Sequence, residues 1–269
     1  MSTPIAVTIA GSDSGGGAGI QADLKTFSAL QVYGASVVTA LTAQNTIGVQ
    51  AIHDVPPAFI AAQMESVFSD LAVTAVKIGM LSQTGVITIV ADALTRYAAN
   101  LPIVLDPVMV ATSGDRLISD EAVDALRRHL MPLADLITPN LPEAATLLDE
   151  PVATDETVAL AQGQRLLALG ARAVLIKGGH AQGEESVDHL ITADGRPQRL
   201  TSRRIDTRNT HGTGCTLSSA VAAGLARRLS LRDAVDAAKH YVTAAIGASD
   251  TLQVGRGHGP VQHFHALWR

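Results

Sequence analysis

Short apolar segments alternate along the chain with longer segments in which apolar residues recur every three or four positions. The short segments end at polar or turn-forming residues, which is typical of buried strands. They are Ile5–Ala10, Ser36–Thr42, Ala75–Ile78, Ile103–Leu105, Leu136–Thr138 and Ala173–Ile176. The longer segments have the spacing of helices that pack one face on a sheet. They are Ile20–Leu30, Pro57–Leu71, Thr84–Ala99, Glu121–Leu130, Pro142–Leu148, Thr157–Leu169, Thr216 to about Arg227 and Leu231 to about Ala248.

This alternation predicts repeated βα units and therefore an α/β fold, with a mostly parallel central sheet between two layers of helices. One segment departs from the pattern. From Val187 to Ser202 polarity alternates around Asp194-Gly195, a dipeptide suited to a tight turn, which predicts an antiparallel hairpin at a sheet edge. No linker, internal repeat or low-complexity segment divides the sequence, so residues 1–269 are predicted to form a single domain.

Composition narrows the choice of partners and compartment. A net charge of −5 without a basic run gives no electrostatic reason to expect nucleic acid or an anionic membrane surface, so a small molecule is the expected partner. The single cysteine excludes an internal disulfide framework and indicates a reducing compartment. Neither a signal peptide nor a membrane span is recognisable. We therefore expect a cytoplasmic protein.

A glycine-rich segment follows the first predicted strand and runs from Ala10 to Gly19, with the sequence AGSDSGGGAG. Its glycines allow the backbone to approach a ligand closely. Neither common phosphate fingerprint fits, because the P-loop needs a lysine after its last glycine and the dinucleotide pattern would need glycine at Ile20. A flexible strand-to-helix turn is the alternative interpretation.

A second glycine-containing segment, Thr210–Thr216, lies directly before a predicted helix. Backbone N–H groups at a helix N-terminus lack intrahelical partners and carry partial positive charge, so Gly212 and Gly214 would let them converge on an oxyanion or phosphoryl group. The same field is expected to lower the pKa of Cys215 and favour its thiolate. The alternative for Cys215 is a small buried apolar residue.

Polar residues also follow three other predicted strands. Asn140 and Glu143 flank Pro142 at the start of a helix, where their oxygens would suit a hydrated Mg²⁺, although a helix-capping pair explains the same spacing. Asp106 and Lys177 each end a strand. A carboxylate near magnesium and a lysine near nucleotide phosphates are what phosphoryl transfer requires, since its catalysis is mainly positioning and charge neutralisation.

Taken in order, the motifs of this chain resemble those of bacterial hydroxymethylpyrimidine/phosphomethylpyrimidine kinases over essentially the whole length. The matching segments are AGSDSGGGAGIQADLKTF, TALTAQNTIGV, KIGML, DPVM, LITPNLPEA, KGGH, NTHGTGCTLSSA and VGRGHGPVQHFHALW. The resemblance implies a ribokinase-like fold and a homodimer. It also implies transfer of the γ-phosphoryl group of ATP to the hydroxymethyl group of 4-amino-5-hydroxymethyl-2-methylpyrimidine, followed by phosphorylation of that monophosphate to the pyrophosphate.

The resemblance also implies roles for individual residues. The pyrimidine pocket would comprise Gly11, Asp23, Gln44, Met80 and Val108. The anion hole would comprise Gly212, Thr213, Gly214 and Cys215, with Cys215 as the candidate general base. Magnesium would lie near Asp106, Asn140 and Glu143, and the phosphates of ATP would meet Lys177 and Lys239. One departure is Thr112, where many relatives have lysine, and it puts one phosphate contact in doubt.

Two other functions compete with this interpretation. A pyridoxal or pyridoxine kinase would share the fold, the magnesium positions and a cysteine-type anion hole, and the context of Gln44 and Met80 favours the pyrimidine. A hydrolase with Cys215 as nucleophile and His211 as base belongs to a different class. It would need a third orienting group and would leave Asp106 and Lys177 without a role.

Overall fold

A computed structural model describes residues 2–110, 117–179, 183–193 and 195–268 of the chain. Within these residues nine strands form one sheet, in the order β3-β2-β1-β4-β5-β6-β7-β8-β9. The strands are β1 Ile5–Asp13, β2 Tyr33–Gln44, β3 Val49–Asp54, β4 Ala75–Ile78, β5 Ile103–Leu105, β6 Leu136–Ile137, β7 Ala173–Lys177, β8 Glu185–Thr192 and β9 Gln198–Arg203. The helices are α1 Gly19–Ala29, α2 Pro57–Asp70, α3 Thr84–Tyr97, α4 Asp120–Ala125, α5 Leu141–Leu148, α6 Glu156–Ala168, α7 Thr213–Ala226 and α8 Leu231–Gly247.

The six central strands pair in parallel, and the remaining three pair antiparallel at the two edges. The predicted mostly parallel sheet and antiparallel edge hairpin are therefore confirmed. Asp194, in the turn predicted for that hairpin, lies outside the described residues. The antiparallel strand β3 was not predicted from the sequence. Its central residues are exposed at the sheet edge, so no buried apolar face marks it in the sequence.

Apolar side chains cover both faces of the sheet, as the helical layers require. On one face Val7 and Ile78 pack with residues of α2 to α6, and on the other face Ala6 and Ala75 pack with residues of α1, α7 and α8. Successive strand residues point to opposite faces, so strands buried on both sides become nearly continuous apolar runs. This is why the buried parallel strands were recognisable in the sequence.

Small residues let α7 lie close to the sheet. Ala6 and Ala75 on the strands belong to the same buried cluster as Ala220 and Ala223 of the helix. Helix α7 packs across β1, β4 and β5, and its first residues reach the carboxyl ends of the parallel strands. The helix N-terminus is thereby placed at the edge of the sheet where ligands bind in folds of this kind.

None of the helices in the described part of the chain combines the length and the apolar character that crossing a bilayer requires.

Candidate active site

A cavity of about 630 Å³ lies at the carboxyl ends of the parallel strands and beside the N-terminus of α7. All the predicted site residues except Asp23 line it. They are Gly11, Gln44, Met80, Asp106, Val108, Asn140, Glu143, Lys177, Gly212, Thr213, Gly214, Cys215 and Lys239. These residues come from strands and helices spread over the sequence, and the sheet brings them to one edge.

The anion loop, defined here as Thr210–Cys215, owes its shape to Gly212. This residue precedes α7 with φ +78° and ψ 8°, a left-handed conformation that favours glycine. A Cβ atom there would overlap the carbonyl oxygen of Gly17 in the glycine-rich loop. Thr216 donates its hydroxyl to the Gly212 carbonyl at 2.8 Å, which holds the start of the helix. The loop therefore presents the N-terminal N–H groups of α7 to the cavity.

Asp13 organises the glycine-rich loop, and the sequence analysis did not identify it. Its carboxylate accepts the backbone N–H groups of Gly15, Gly17 and Ala18 at 2.8, 3.0 and 2.8 Å. It also lies 2.9 Å from Nε2 of His211 in the anion loop. Burial acts to raise the pKa of Asp13, but these hydrogen bonds and the imidazole hold it below the usual value. Asp13 thus joins the glycine-rich loop to the anion loop, and His211 is the residue of the anion loop that it contacts.

Cys215 is half-buried in the third position of α7. Burial raises the pKa of its thiol to about 11, while the ammonium group of Lys77 opposes that rise and the carboxylates of Asp23 and Asp106 add to it. The backbone N–H of Gly19, at the start of α1, also favours the thiolate. The expectation of a lowered pKa was therefore wrong, because desolvation outweighs the helix N-termini and the nearby cation.

The predicted magnesium side of the cavity contains an ionic cluster. Nζ of Lys177 lies 2.7 Å from Oδ1 of Asp106 and 3.7 Å from Oε2 of Glu143. Burial would lower the pKa of Lys177, but the two carboxylates raise it well above its usual value. Burial would likewise raise the pKa of Asp106, and Lys177 and then Lys77 hold it low. Lys177 is therefore a fixed cation beside a fixed carboxylate.

Asn140 and Glu143 form the helix-capping pair that was one of the two interpretations of their spacing. The Glu143 backbone N–H donates to Oδ1 of Asn140 at 2.8 Å, and the Asn140 backbone N–H donates to Oε2 of Glu143 at 2.7 Å. This arrangement aims the Glu143 carboxylate at the cavity and fixes its direction. A capping role and a role near a metal ion are therefore compatible.

The donor set fits a magnesium ion that keeps part of its water shell. Among the described residues no group of three or more His, Cys, Asp or Glu side chains could hold a metal by itself. Two carboxylates, Asp106 and Glu143, nevertheless line the same cavity as Lys177. Hard oxygens in small number suit Mg²⁺, which is usually bound by one or two carboxylates together with water and substrate phosphates.

A second lysine–carboxylate pair, Lys239 with Asp188, also lines the cavity. Nζ of Lys239, on α8, lies 2.8 Å from Oδ2 of Asp188 and also donates to Ser186 on β8. The other oxygen of Asp188 accepts the backbone N–H of Gly178 at 2.8 Å. Asp188 was missed in the sequence, since only the pairing of β7 with β8 brings it beside the end of β7.

In the predicted pyrimidine pocket, Gly11 and Met80 lie close together. A Cβ atom at Gly11 would lie 2.7 Å from Cε of Met80, so glycine leaves room for that side chain. Gln44 ends β2, and its Oε1 accepts the Thr42 hydroxyl at 3.1 Å. Asp23 was predicted to belong to this pocket, but it is fully buried and does not line the cavity. It forms an ion pair with Lys77, which does line the cavity and was not predicted. Thr112 lies outside the described residues.

This geometry defines the class of ribokinase-like kinases: a mostly parallel sheet with an edge hairpin, and a cavity closed by a glycine-rich helix N-terminus. The sequence pattern of the phosphomethylpyrimidine kinase family matches residues 13–262. The chain belongs to this family. The family and the fold predicted from the sequence are therefore confirmed.

Two relatives with that name and one pyridoxal kinase illustrate the similarity. A hydroxymethylpyrimidine/phosphomethylpyrimidine kinase of Rhizobium meliloti is 57% identical over 267 residues, covering 99% of each chain. The structure of a phosphomethylpyrimidine kinase from Clostridium difficile is 43% identical with a TM-score of 0.79, covering 90% of this chain and 99% of that one. An ADP complex of a Bacillus subtilis pyridoxal kinase is 38% identical with a TM-score of 0.90, covering 98% and 99%.

Proposed function

We propose that the protein transfers the γ-phosphoryl group of ATP to the hydroxymethyl group of 4-amino-5-hydroxymethyl-2-methylpyrimidine and then phosphorylates the monophosphate to the pyrophosphate, in thiamine biosynthesis. The observation that carries the proposal is one cavity that joins the pyrimidine-side residues, the anion loop and the two lysine–carboxylate groups. An acceptor hydroxyl and a triphosphate bound in it would meet beside Cys215.

Charge neutralisation is the main task of the site in this reaction. The N–H groups at the start of α7 would bind the oxygens of the transferred group, in the manner of an oxyanion hole. Lys177 would neutralise phosphate oxygens on the other side. A magnesium ion near Asp106 and Glu143 would neutralise further negative charge on the polyphosphate. Lys239 would exchange Asp188 for a phosphate of the nucleotide.

Cys215 has a role in the first transfer only. Its thiolate would accept the proton of the acceptor hydroxyl as that oxygen bonds to the γ-phosphorus and the bond to the β-phosphate oxygen breaks, which releases ADP. In the second transfer the attacking group is already a phosphate oxyanion, so no base is needed. Gln44 can both donate and accept hydrogen bonds, as an aminopyrimidine edge requires.

The test is product analysis with purified protein, ATP and Mg²⁺, and with either the pyrimidine or pyridoxal as acceptor. We expect pyrimidine monophosphate first and pyrophosphate later. Pyridoxal kinase is the second candidate, favoured by the structural match to the Bacillus subtilis enzyme. Phosphorylation of pyridoxal alone would overturn the pyrimidine assignment and leave the kinase assignment in place.

The organisation of the protein is a separate part of the proposal. A single domain over residues 1–269, a cytoplasmic location and a homodimer remain predictions. Light scattering on the purified chain tests the dimer, for which twice the 27.9 kDa chain mass is expected. A mass of one chain at micromolar concentration would contradict it.

A further inference from the structure

Lys77 is a fully buried lysine that the proposed reaction does not use. It lies in β4, between the core residues Val76 and Ile78, and its side chain has no exposed surface. Removing an ammonium group from water is costly unless it is paired and hydrogen-bonded. Lys77 is nevertheless one of the residues that line the cavity. A charge kept at this position needs a reason beyond packing.

Asp23 of α1 is the partner of this lysine. Its two carboxylate oxygens each lie 2.9 Å from Nζ of Lys77. The hydroxyl groups of Thr8 and Ser219 donate to the same carboxylate, both at 2.6 Å. The four contacts come from β1, β4 and α7, so the carboxylate is fully used in holding Lys77 and cannot turn toward a ligand without breaking them.

Helix α7 connects this pair to the anion loop. Ser219, which bonds Asp23, lies four residues after Cys215, and residues four apart share one face of a helix. The charged groups that act on the Cys215 thiol are Lys77 from β4, Asp23 from α1, Asp106 after β5 and Lys177 at the end of β7. Among the charged groups acting on the thiol, Lys77 has the largest effect, and that effect favours the thiolate.

We propose that Lys77 and Asp23 form a positioning pair for Cys215, in which Asp23 holds the Lys77 ammonium group behind the anion loop. There the positive charge stabilises the thiolate that accepts the hydroxyl proton and the negative charge that develops on the phosphoryl group. The pair deepens the proposed function and rests on it for the catalytic consequence. The effect on the cysteine itself does not depend on which substrate the enzyme uses.

The chain offers an unambiguous readout, because Cys215 is its only cysteine. The rate of alkylation by neutral iodoacetamide follows the thiolate fraction, so the rate constant at a fixed pH of about 8 to 9, well below the thiol pKa, reports that fraction in the full-length protein. In Lys77→Met we expect this rate constant to fall about tenfold or more, since the cation that most favours the thiolate is removed. In Lys239→Met, which removes the lysine paired with Asp188, we expect the rate constant to stay unchanged.

The single variant leaves Asp23 buried without its cation, so a second variant removes both charges. Replacing a buried ion pair by apolar residues of similar size is often tolerated. In Lys77→Met with Asp23→Leu the alkylation rate constant should still fall, by less than in the single variant, because the effect of Lys77 on the thiol is larger than the opposite effect of Asp23. The first transfer should be slowed at least tenfold in each folded variant at neutral pH.

The outcomes separate the two proposals. A lowered alkylation rate constant in the variants, together with no phosphorylation of the pyrimidine by the unchanged protein, would support the pair and overturn the substrate assignment. An unchanged rate constant in either folded variant would overturn the pair, whatever the substrate. Loss of folding in both variants would make the pair a requirement of the fold, and this would also overturn the positioning role.

Discussion

Two lysine–aspartate pairs contribute a lysine to the cavity lining, and the two pairs differ in how far they are buried. The Lys77–Asp23 pair has no exposed side-chain surface, and its carboxylate also accepts two hydroxyl groups. The Lys239–Asp188 pair keeps 8% and 7% of its side-chain surface exposed and lies beside the edge hairpin. The first pair is completely enclosed, whereas the second keeps some exposure. We therefore expect the first pair to act on the reacting groups through a fixed charge, and the second to release its lysine to a phosphate of the ligand.

The largest expected effect tests the group proposed as the base, Cys215. Cys215→Ala should lower the rate of pyrimidine phosphorylation by about 10²- to 10⁴-fold, because it removes the base that accepts the hydroxyl proton. ADP binding, measured by calorimetry, should stay nearly unchanged, since the proposed nucleotide contacts are Lys177 and Lys239 and the variant keeps both. Unchanged turnover would remove Cys215 from the chemistry.

A matched pair of glycines sharpens the comparison. In Gly212→Ala the new Cβ would overlap the carbonyl oxygen of Gly17, and in Gly178→Ala it would overlap that of Val187. Displacing a loop by about 1 Å can cost roughly 100-fold in rate. We expect Gly212→Ala to lower kcat by about that factor and Gly178→Ala to raise the KM for ATP instead. Steady-state kinetics with both substrates measures the two effects. A raised KM for ATP in Gly212→Ala together with a lowered kcat in Gly178→Ala would contradict the proposed roles of the two regions.

The pH dependence of the two transfers is an internal comparison within one enzyme. Burial raises the pKa of the Cys215 thiol to about 11, so below that pH the thiolate fraction grows about tenfold per unit. We expect the first transfer to speed up as the pH rises from about 7 to 9. The second transfer should change little, because the acceptor phosphate, with a second pKa of about 6, is already ionised. Parallel profiles for the two transfers would argue against a base role.

The smallest expected effect concerns recognition of the pyrimidine. Gln44→Ala should raise the KM for the pyrimidine about tenfold, the cost of one or two hydrogen bonds to a polar ring. The KM for ATP should be unaffected, and the KM values measured for both substrates in the same preparation provide the control. Equal changes in both values would refute Gln44 as a substrate contact.

The central parallel strands were more predictable from the sequence than the edge strand β3. The buried parallel strand Ile103–Leu105 is apolar on both faces, so its pattern is continuous and its bounds were predicted correctly. Strand β3 is largely exposed and gains its structure by pairing with β2, as in the contact of Thr42 with Ile52. Its residues carry no apolar pattern that could mark it.

The site residues also differ in how far they could be predicted from the sequence. Motif-bearing loops such as Thr210–Cys215 were recognisable because glycines and polar residues follow strands at places where the sequence is otherwise apolar. Asp13, Lys77 and Asp188 were missed because each acts through a partner far away in the sequence. Asp23 was recognised in its motif, but the structure turns it inward to Lys77 and away from the cavity lining.

The sequence by itself determined the alternation of strands and helices, the family and the loops that meet at the strand ends. These features depend on local patterns and on motifs that can be read residue by residue. Only the tertiary structure decided which charges face one another and how the Cys215 thiol titrates. Ion pairs such as Lys77 with Asp23 join β4 to α1, and desolvation depends on everything packed around a group. Neither the partner of a buried charge nor the desolvation of a group can be deduced from the neighbours of a residue along the chain.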